Sequence, residues 1–411
     1  MTIAQVRFGL ALTAAVSLLA ACGGGGSSGG ASGDTPAATA PPPMMPTPQM
    51  GFTVTNLVAN KSAIQSQFNA AHVDANLVNP WGIAFNPQGF DWVADAATSV
   101  TTLYDGSGVL MAALPGAPLA IPIPKASSPA SVSGPTGVVF NTSPGFVLPD
   151  GAAANFLFAT LDGQIEGWDA SQPAAAVSVF TSSSAAMYTA LALGTDTSGN
   201  NFLYAADFSN NKVDVFDQTF KLMPAGSFVT PQGVPEGFVP YGIQNIKASD
   251  GTTQIYVSYA QPDAQQKNGA AIAGAGLGYV AVFDAAGTNG KLLISAGALN
   301  APWGMALAPP GFGNLGGALL VGNFGDGAIN AFDPGTGASL GALLQTDGTP
   351  VQIPFLWGIA FGNGVNNEPA NTLFFAAGLN NQLDGLYGRI DFGGISNSMP
   401  APPTPPTYGG T

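Results

Sequence analysis

Asn79-Pro80-Trp81-Gly82-Ile83-Ala84-Phe85 decides the fold, because the chain writes this phrase six times. Related phrases begin at Pro135, Tyr188, Pro240, Pro302 and Leu356. Aligned on their small residue (Gly82, Gly137, Ala190, Gly242, Gly304 and Gly358), they recur every 52 to 62 residues. The next residue is Ile83, Val138, Leu191, Ile243, Met305 or Ile359, and two further on stand Phe85, Phe140, Leu193, Asn245, Leu307 and Phe361. Apolar residues two apart mark one face of a strand. Between them lies Ala84, Ala192, Ala306 or Ala360 in four units, so the other face is apolar as well and the strand is buried on both sides.

A second apolar run follows in each unit, and its third position is always small: Ala94, Ala159, Ala206, Ser258, Gly322 and Ala376. Such a restriction suggests close approach of a neighbouring backbone. A third run ends in Tyr104-Asp105, Trp168-Asp169, Phe216-Asp217, Phe283-Asp284, Phe332-Asp333 or Ile390-Asp391, and turn-prone residues come next. A fourth, weaker run closes most units, as at Val177–Phe180 and Lys291–Ile294. Short strands in repeating sets, no helical period and 56 Gly predict an all-β, six-bladed β-propeller over residues 51–395. A single blade cannot bury its faces, whereas blades set radially bury one another. The last unit stops after its third strand, so Phe52–Val58 is predicted to supply the missing outer strand and join the ends. Seven blades is the alternative, because the third unit lacks both Pro and Gly.

The pattern Pro-x-Gly-Ile-Ala-Phe, then Val-Ala-Asp, then Phe-Asp resembles the NHL-repeat family of six-bladed propellers. Residues 79–108 also resemble the opening of a family of exported bacterial propeller proteins with no assigned activity. The resemblance spans residues 52–395 and implies the fold. It leaves RNA binding, protein binding and metal-dependent lyase or hydrolase activity open, since fold does not select function.

Charge removes one of these. The chain carries 9 Lys and Arg against 23 Asp and Glu, net −14, and its cations are scattered singly. Phosphate neutralisation needs a cationic surface, so nucleic acid is excluded as a partner. The lyase relatives implied by the resemblance use several His ligands, and His72 is the one histidine here. That also leaves a Ser-His-Asp triad without support.

The N-terminus reads as an address. Arg7 precedes an apolar run from Phe8 to Ala21, too short to span a bilayer, and Leu19-Ala20-Ala21-Cys22 matches the lipobox of bacterial lipoproteins. Residues 1–21 are therefore read as a lipoprotein signal peptide and Cys22, the sole cysteine, as the lipidation site. Gly23 after that Cys fits outer-membrane sorting in a cell with two membranes. The expected location is thus exported, lipid-anchored in the bacterial cell envelope, with the membrane as a partner through the anchor. Residues 22–50 form a Gly/Pro-rich tether, and residues 396–411, with five Pro, a Pro-rich disordered tail.

The candidate site is a ring. The residues just before the aligned small position are Trp81, Thr136, Thr189, Tyr241, Trp303 and Trp357. Equivalent positions at the start of an inner strand gather at one mouth of the central channel. An aromatic mouth would suit a protein, peptide or glycan ligand; the competing reading is that the rings plug the mouth. Trp92 and Trp168 take strand positions filled by Tyr, Phe or Leu elsewhere and are read as core. The recurring Asp residues fit turn chemistry better than catalysis. The polar, then Gly/Ala-rich stretch from Gln261 to Leu277 fits a disordered insertion better than a lid. The expectation is a binding module with no catalytic residue, metal ligand or cofactor assigned. The alternative is a calcium-dependent hydrolase or lactonase in the channel, drawing on Asn79, Asp95 and Asn323.

Overall fold

Six small sheets form a six-bladed propeller. The computed structural model describes residues 50–126, 134–248, 250–263 and 269–393. Residues 1–49, with the expected signal peptide, Cys22 and nearly all of the expected tether, and the expected tail at 396–411 lie outside the described residues. Blade 1 is Pro80–Phe85, Asp91–Asp95, Val100–Tyr104 and Ala120–Pro122, each strand antiparallel to the one before. Blades 2, 4 and 5 repeat this order, and blade 3 has three strands, Tyr188–Thr195, Asn201–Asp207 and Lys212–Asp217. The unit without Pro and Gly is therefore a full member of a six-fold ring.

The repeated Gly is explained by where the inner strands meet. A Cβ on Gly82 would lie 2.5 Å from the carbonyl oxygen of Thr136 in blade 2, and one on Gly304 2.5 Å from that of Trp357 in blade 6. Gly358 faces the Trp81 carbonyl in the same way, so the contact runs from the last blade back to the first. Inner strands thus touch backbone to backbone, which a side chain would prevent. The aromatic of each third strand points into the packing between blades: Tyr104 and Phe216 are fully buried and Phe283 and Phe332 nearly so. Burial of each such ring contributes roughly 1.5–3 kcal/mol.

Blade 6 contains Leu356–Phe361, Leu373–Ala377 and Leu386–Phe392, and its fourth strand is Phe52–Ala59. That strand runs antiparallel to Leu386–Phe392, from Phe52↔Phe392 to Ala59↔Leu386. His72–Val73 adds a short parallel fifth strand. The first strand of the propeller thus completes its last blade.

The propeller has two faces. On the mouth face the first strands begin and the second strands end, as in the pairs Pro80↔Asp95 and Pro302↔Asn323. The far face carries the third-strand ends and the recurring aspartates. There Asp105 accepts the N–H of Ser107 at 2.8 Å, Asp217 that of Thr219 at 2.8 Å and Asp333 that of Thr336 at 2.8 Å. These are Asx turns. Asp391 differs, pairing with Arg389 at 2.9 Å and accepting from Thr372.

Candidate functional site

Four of the six ring residues do meet on the axis. The Trp81 and Trp357 rings stack with centroids 3.4 Å apart and planes 15° from parallel. Trp303 stands edge-on to both, at 5.9 and 5.8 Å, and Tyr241 edge-on to Trp357 at 5.9 Å. Trp357 Nε1 donates to Asn79 Oδ1 at 3.1 Å and Trp303 Nε1 to the Thr189 carbonyl at 3.0 Å. Thr136 and Thr189 turn to the backbone instead: their hydroxyls donate to the carbonyls of Tyr188 and Tyr241, both at 2.7 Å, stapling blade 2 to blade 3 and blade 3 to blade 4.

Of the two readings of the ring, ligand mouth or plug, the packing is that of a plug. Trp81, Trp357 and Tyr241 are fully buried, and Trp303 is 8% exposed. Inner strands in backbone contact leave a narrow axis, and indoles entering from three blades fill it. Below them the channel shrinks to about 30 Å³, lined chiefly by Gly82, Ile83, Val138, Leu191, Ile243 and Ile359. That is room for about one water. The described part of the 261–277 stretch is a hairpin laid on this plug, not a disordered insertion. Ile272 N donates to Gln261 O at 2.8 Å, Asp263 N to Ala270 O at 3.1 Å, and a Cβ on Gly269 would lie 3.0 Å from the Trp81 ring.

The residues considered for a channel hydrolase serve separate loops. Asn79 bonds Gln382 and Trp357, Asp95 accepts from Thr102 at 2.8 Å, and Asn323 accepts from Asn300 N and donates to Ala298 O. Burial holds the Asp95 carboxyl well above the usual range. Among the described residues, no three His, Cys, Asp or Glu are grouped to hold a metal ion.

Buried acids appear instead at a seam the sequence did not flag. Between blades 6 and 1, Glu368 accepts the Asp91 N–H at 3.2 Å and the Tyr387 hydroxyl donates to the Asp91 carboxylate. Burial, reinforced by Asp91, pushes Glu368 up to about 10, and burial raises Asp91 as well. Glu166 in blade 2 is pushed up to about 9, by burial first and then by Asp162.

Larger concavities open on the far face; one of about 340 Å³ runs along Met223–Ser227 of blade 3, and two exceed it. A groove of about 790 Å³ lies between blades 3 and 4. Its carboxylates Asp196, Asp250 and Asp284 are each committed to a turn, accepting from Asn200 N, Thr252 N and Thr288 N. Size alone does not make it the better site. The second is a cleft of about 460 Å³ between blades 1 and 2, with Asn366 of blade 6 at its edge. Trp92 and Trp168 form its floor, 2% and 4% exposed, with Phe156 stacked on Trp92 at 4.0 Å. Half-buried Phe90, Phe140, Met111 and Leu114 form its walls, and no charged side chain lines it. Ligand sites are commonly apolar clefts of about 300–1,000 Å³ with a few polar groups. Here Asn86, Gln88 and Asn155 supply those groups. The core reading of Trp92 and Trp168 holds for their packing and misses the side each turns to the cleft. Strand pattern places both rings between blades but not the gap beside them.

No family model matches the chain. An uncharacterised protein of Acanthamoeba polyphaga mimivirus is 32% identical over 347 residues, 82% of this chain and 79% of that protein. Another uncharacterised protein of the same virus is 31% identical over 348 residues, 82% of this chain and 85% of that protein. Among solved structures, a glucose dehydrogenase aligns at a TM-score of 0.49 and 15% identity, covering 82% of this chain and 98% of its own. A streptogramin B lyase aligns at 0.42 and 12%, covering 84% and 98%. Likeness at this level concerns fold and says nothing of chemistry. These matches do not carry the resemblance to NHL repeats or to exported bacterial propellers.

Proposed function

The chain belongs to the family of these two uncharacterised mimivirus proteins, and from its own residues we propose that it is a lipid-anchored binding module of the cell envelope. Its ligand site is the cleft between blades 1 and 2. One observation carries the binding role: an uncharged cleft of about 460 Å³ with two indoles in its floor, against a plugged channel of about 30 Å³. An apolar or weakly polar ligand fits such a surface, because desolvating it costs little and the half-buried Phe90, Phe140, Met111 and Leu114 side chains supply contact area. The anchor rests on Leu19-Ala20-Ala21-Cys22 and the Gly/Pro-rich tether behind it. Two or more acyl chains would hold it stably in a membrane.

Titration of the full chain with Nile red, an uncharged apolar dye, tests the cleft. Leu114→Glu on the wall is expected to weaken dye binding at least ten-fold, because a carboxylate cannot be desolvated there. Equal binding by the variant would remove the cleft as the site. Loss of acyl labelling in Cys22→Ser tests the anchor independently.

A further inference from the structure

We propose that the cleft between blades 1 and 2 is the docking site for the chain's own C-terminal proline-rich segment, Met399 to Tyr408. This rests on the reading of that cleft as a ligand site and names the ligand's class. Residues 400–406 hold five prolines: Pro400, Pro402, Pro403, Pro405 and Pro406. Such a run presets extended polyproline conformations, which lose little entropy on binding and dock in aromatic-lined grooves. The cleft offers that surface in the half-buried rings of Phe90 and Phe140, above the buried indoles of Trp92 and Trp168.

Charge agrees. In a chain of net −14, neither the cleft lining nor the side chains of residues 393–411 carry a charge. Position agrees as well. The last strand ends at Phe392 on the far face, where the cleft opens, and Gly393 N donates to Gly51 O at 3.0 Å. Blade 6 abuts blade 1 there: Arg389 donates to Gly106 O at 3.3 Å and Gly106 N to Asn366 O at 2.9 Å, and Asn366 edges the cleft. The cleft lies on the other side of blade 1 from that end. Residues 393–399, fully extended, reach up to ~24 Å.

The test uses the full chain, wild type against a variant with the five tail prolines replaced by serine, both titrated with Nile red. Freed of its occupant, the variant is expected to bind dye about ten-fold more tightly. A peptide of residues 399–408 added in trans should then displace the dye. Equal dye affinity in the two chains, with no displacement by the peptide, overturns the proposal. The cleft reading survives that result as long as Leu114→Glu still loses dye. If Leu114→Glu binds dye like the wild type, the cleft reading falls and this proposal falls with it. Displacement by a peptide of residues 41–48 and not by 399–408 would assign the cleft to the tether and overturn the proposal too. So would a difference between the chains that disappears on dilution, which would indicate a second copy.

Discussion

The five tryptophans divide between two aromatic clusters that resemble each other in sequence and differ in use. Trp81, Trp303 and Trp357 meet on the propeller axis, stacked and covered by a hairpin. Trp92 and Trp168 meet between two neighbouring blades, 4.7 Å apart, with a cleft beside them. The axis is the point of closest approach of all six blades, so rings placed there fill all the space. Blades diverge outward, yet most mid-blade rings are still buried, as Tyr104 and Phe216 are, while a gap opens beside Trp92 and Trp168. On the axis the rings close the space; at mid-blade the loop beyond the third strand decides whether a gap is left.

The largest expected effect separates the two clusters by stability. Trp357→Ala removes the ring that touches Trp81, Trp303, Tyr241 and Phe324, and should cost about 3–5 kcal/mol in denaturant unfolding. A loss below about 1 kcal/mol would mean that the axis is not packed as described. The pH dependence comes next, and it concerns the seam beside the cleft, not the plug. Glu368 is raised to about 10 in the folded state and stays protonated at neutral pH, whereas the unfolded chain releases that proton near its ordinary value. Its stabilising contribution is therefore full below the unfolded value and is lost as pH rises toward 10. The loss is about 1.4 kcal/mol per pH unit for one such group. Glu368→Gln keeps an oxygen for the Asp91 N–H and should remove that group's share of the slope, leaving the shares of Asp91, Asp95 and Glu166, while Trp357→Ala should leave the slope unchanged. Unfolding midpoints followed from pH 5 to 9 would check both.

A smaller effect lies at the blade staples. Thr189→Val loses the hydroxyl bond to the Tyr241 carbonyl and should cost about 1 kcal/mol, measurable as a shifted denaturation midpoint. The smallest stability change belongs to the cleft wall. Leu114→Ser should move stability by no more than about 0.5 kcal/mol and still weaken dye binding. If it destabilised the fold as much as Trp357→Ala, the cleft would be core and the contrast between the clusters would vanish.

The repeat made the ring legible because each recurring residue answers a local demand. Gly82, Gly242, Gly304 and Gly358 meet a neighbouring carbonyl, and the Asp after the third strand of blades 1 to 5 closes a turn. The partner of Phe52–Val58 was legible because blade 6 lacked a strand. The site was less so. A run of letters shows which side chains point to the axis but not how much room the axis has. That room depends on the number of blades and on how closely their backbones approach. The cleft escaped notice because Trp92 and Trp168 sit at positions that are core in other blades. The gap beside them is walled by Met111–Gly116 after the third strand, a stretch whose place in blade 3 is taken by Met223–Ser227 beside a smaller concavity of about 340 Å³. The Asp91–Glu368 seam was hidden for a related reason, since Glu368 lies in a single inter-strand loop outside the aligned pattern.

The pairing of Phe52 with Phe392 has a consequence in time. The strand made first during synthesis finds its partner last, across 340 positions of chain. Until blade 6 emerges, Phe52–Ala59 has no sheet to join and the ring cannot close. Contacts this distant in sequence fold slowly, because the whole intervening chain must be ordered before they form. The propeller therefore cannot finish folding on a partial chain. A chain still being threaded through a pore would remain open until its C-terminal blade arrived, and closure would mark the end of the journey.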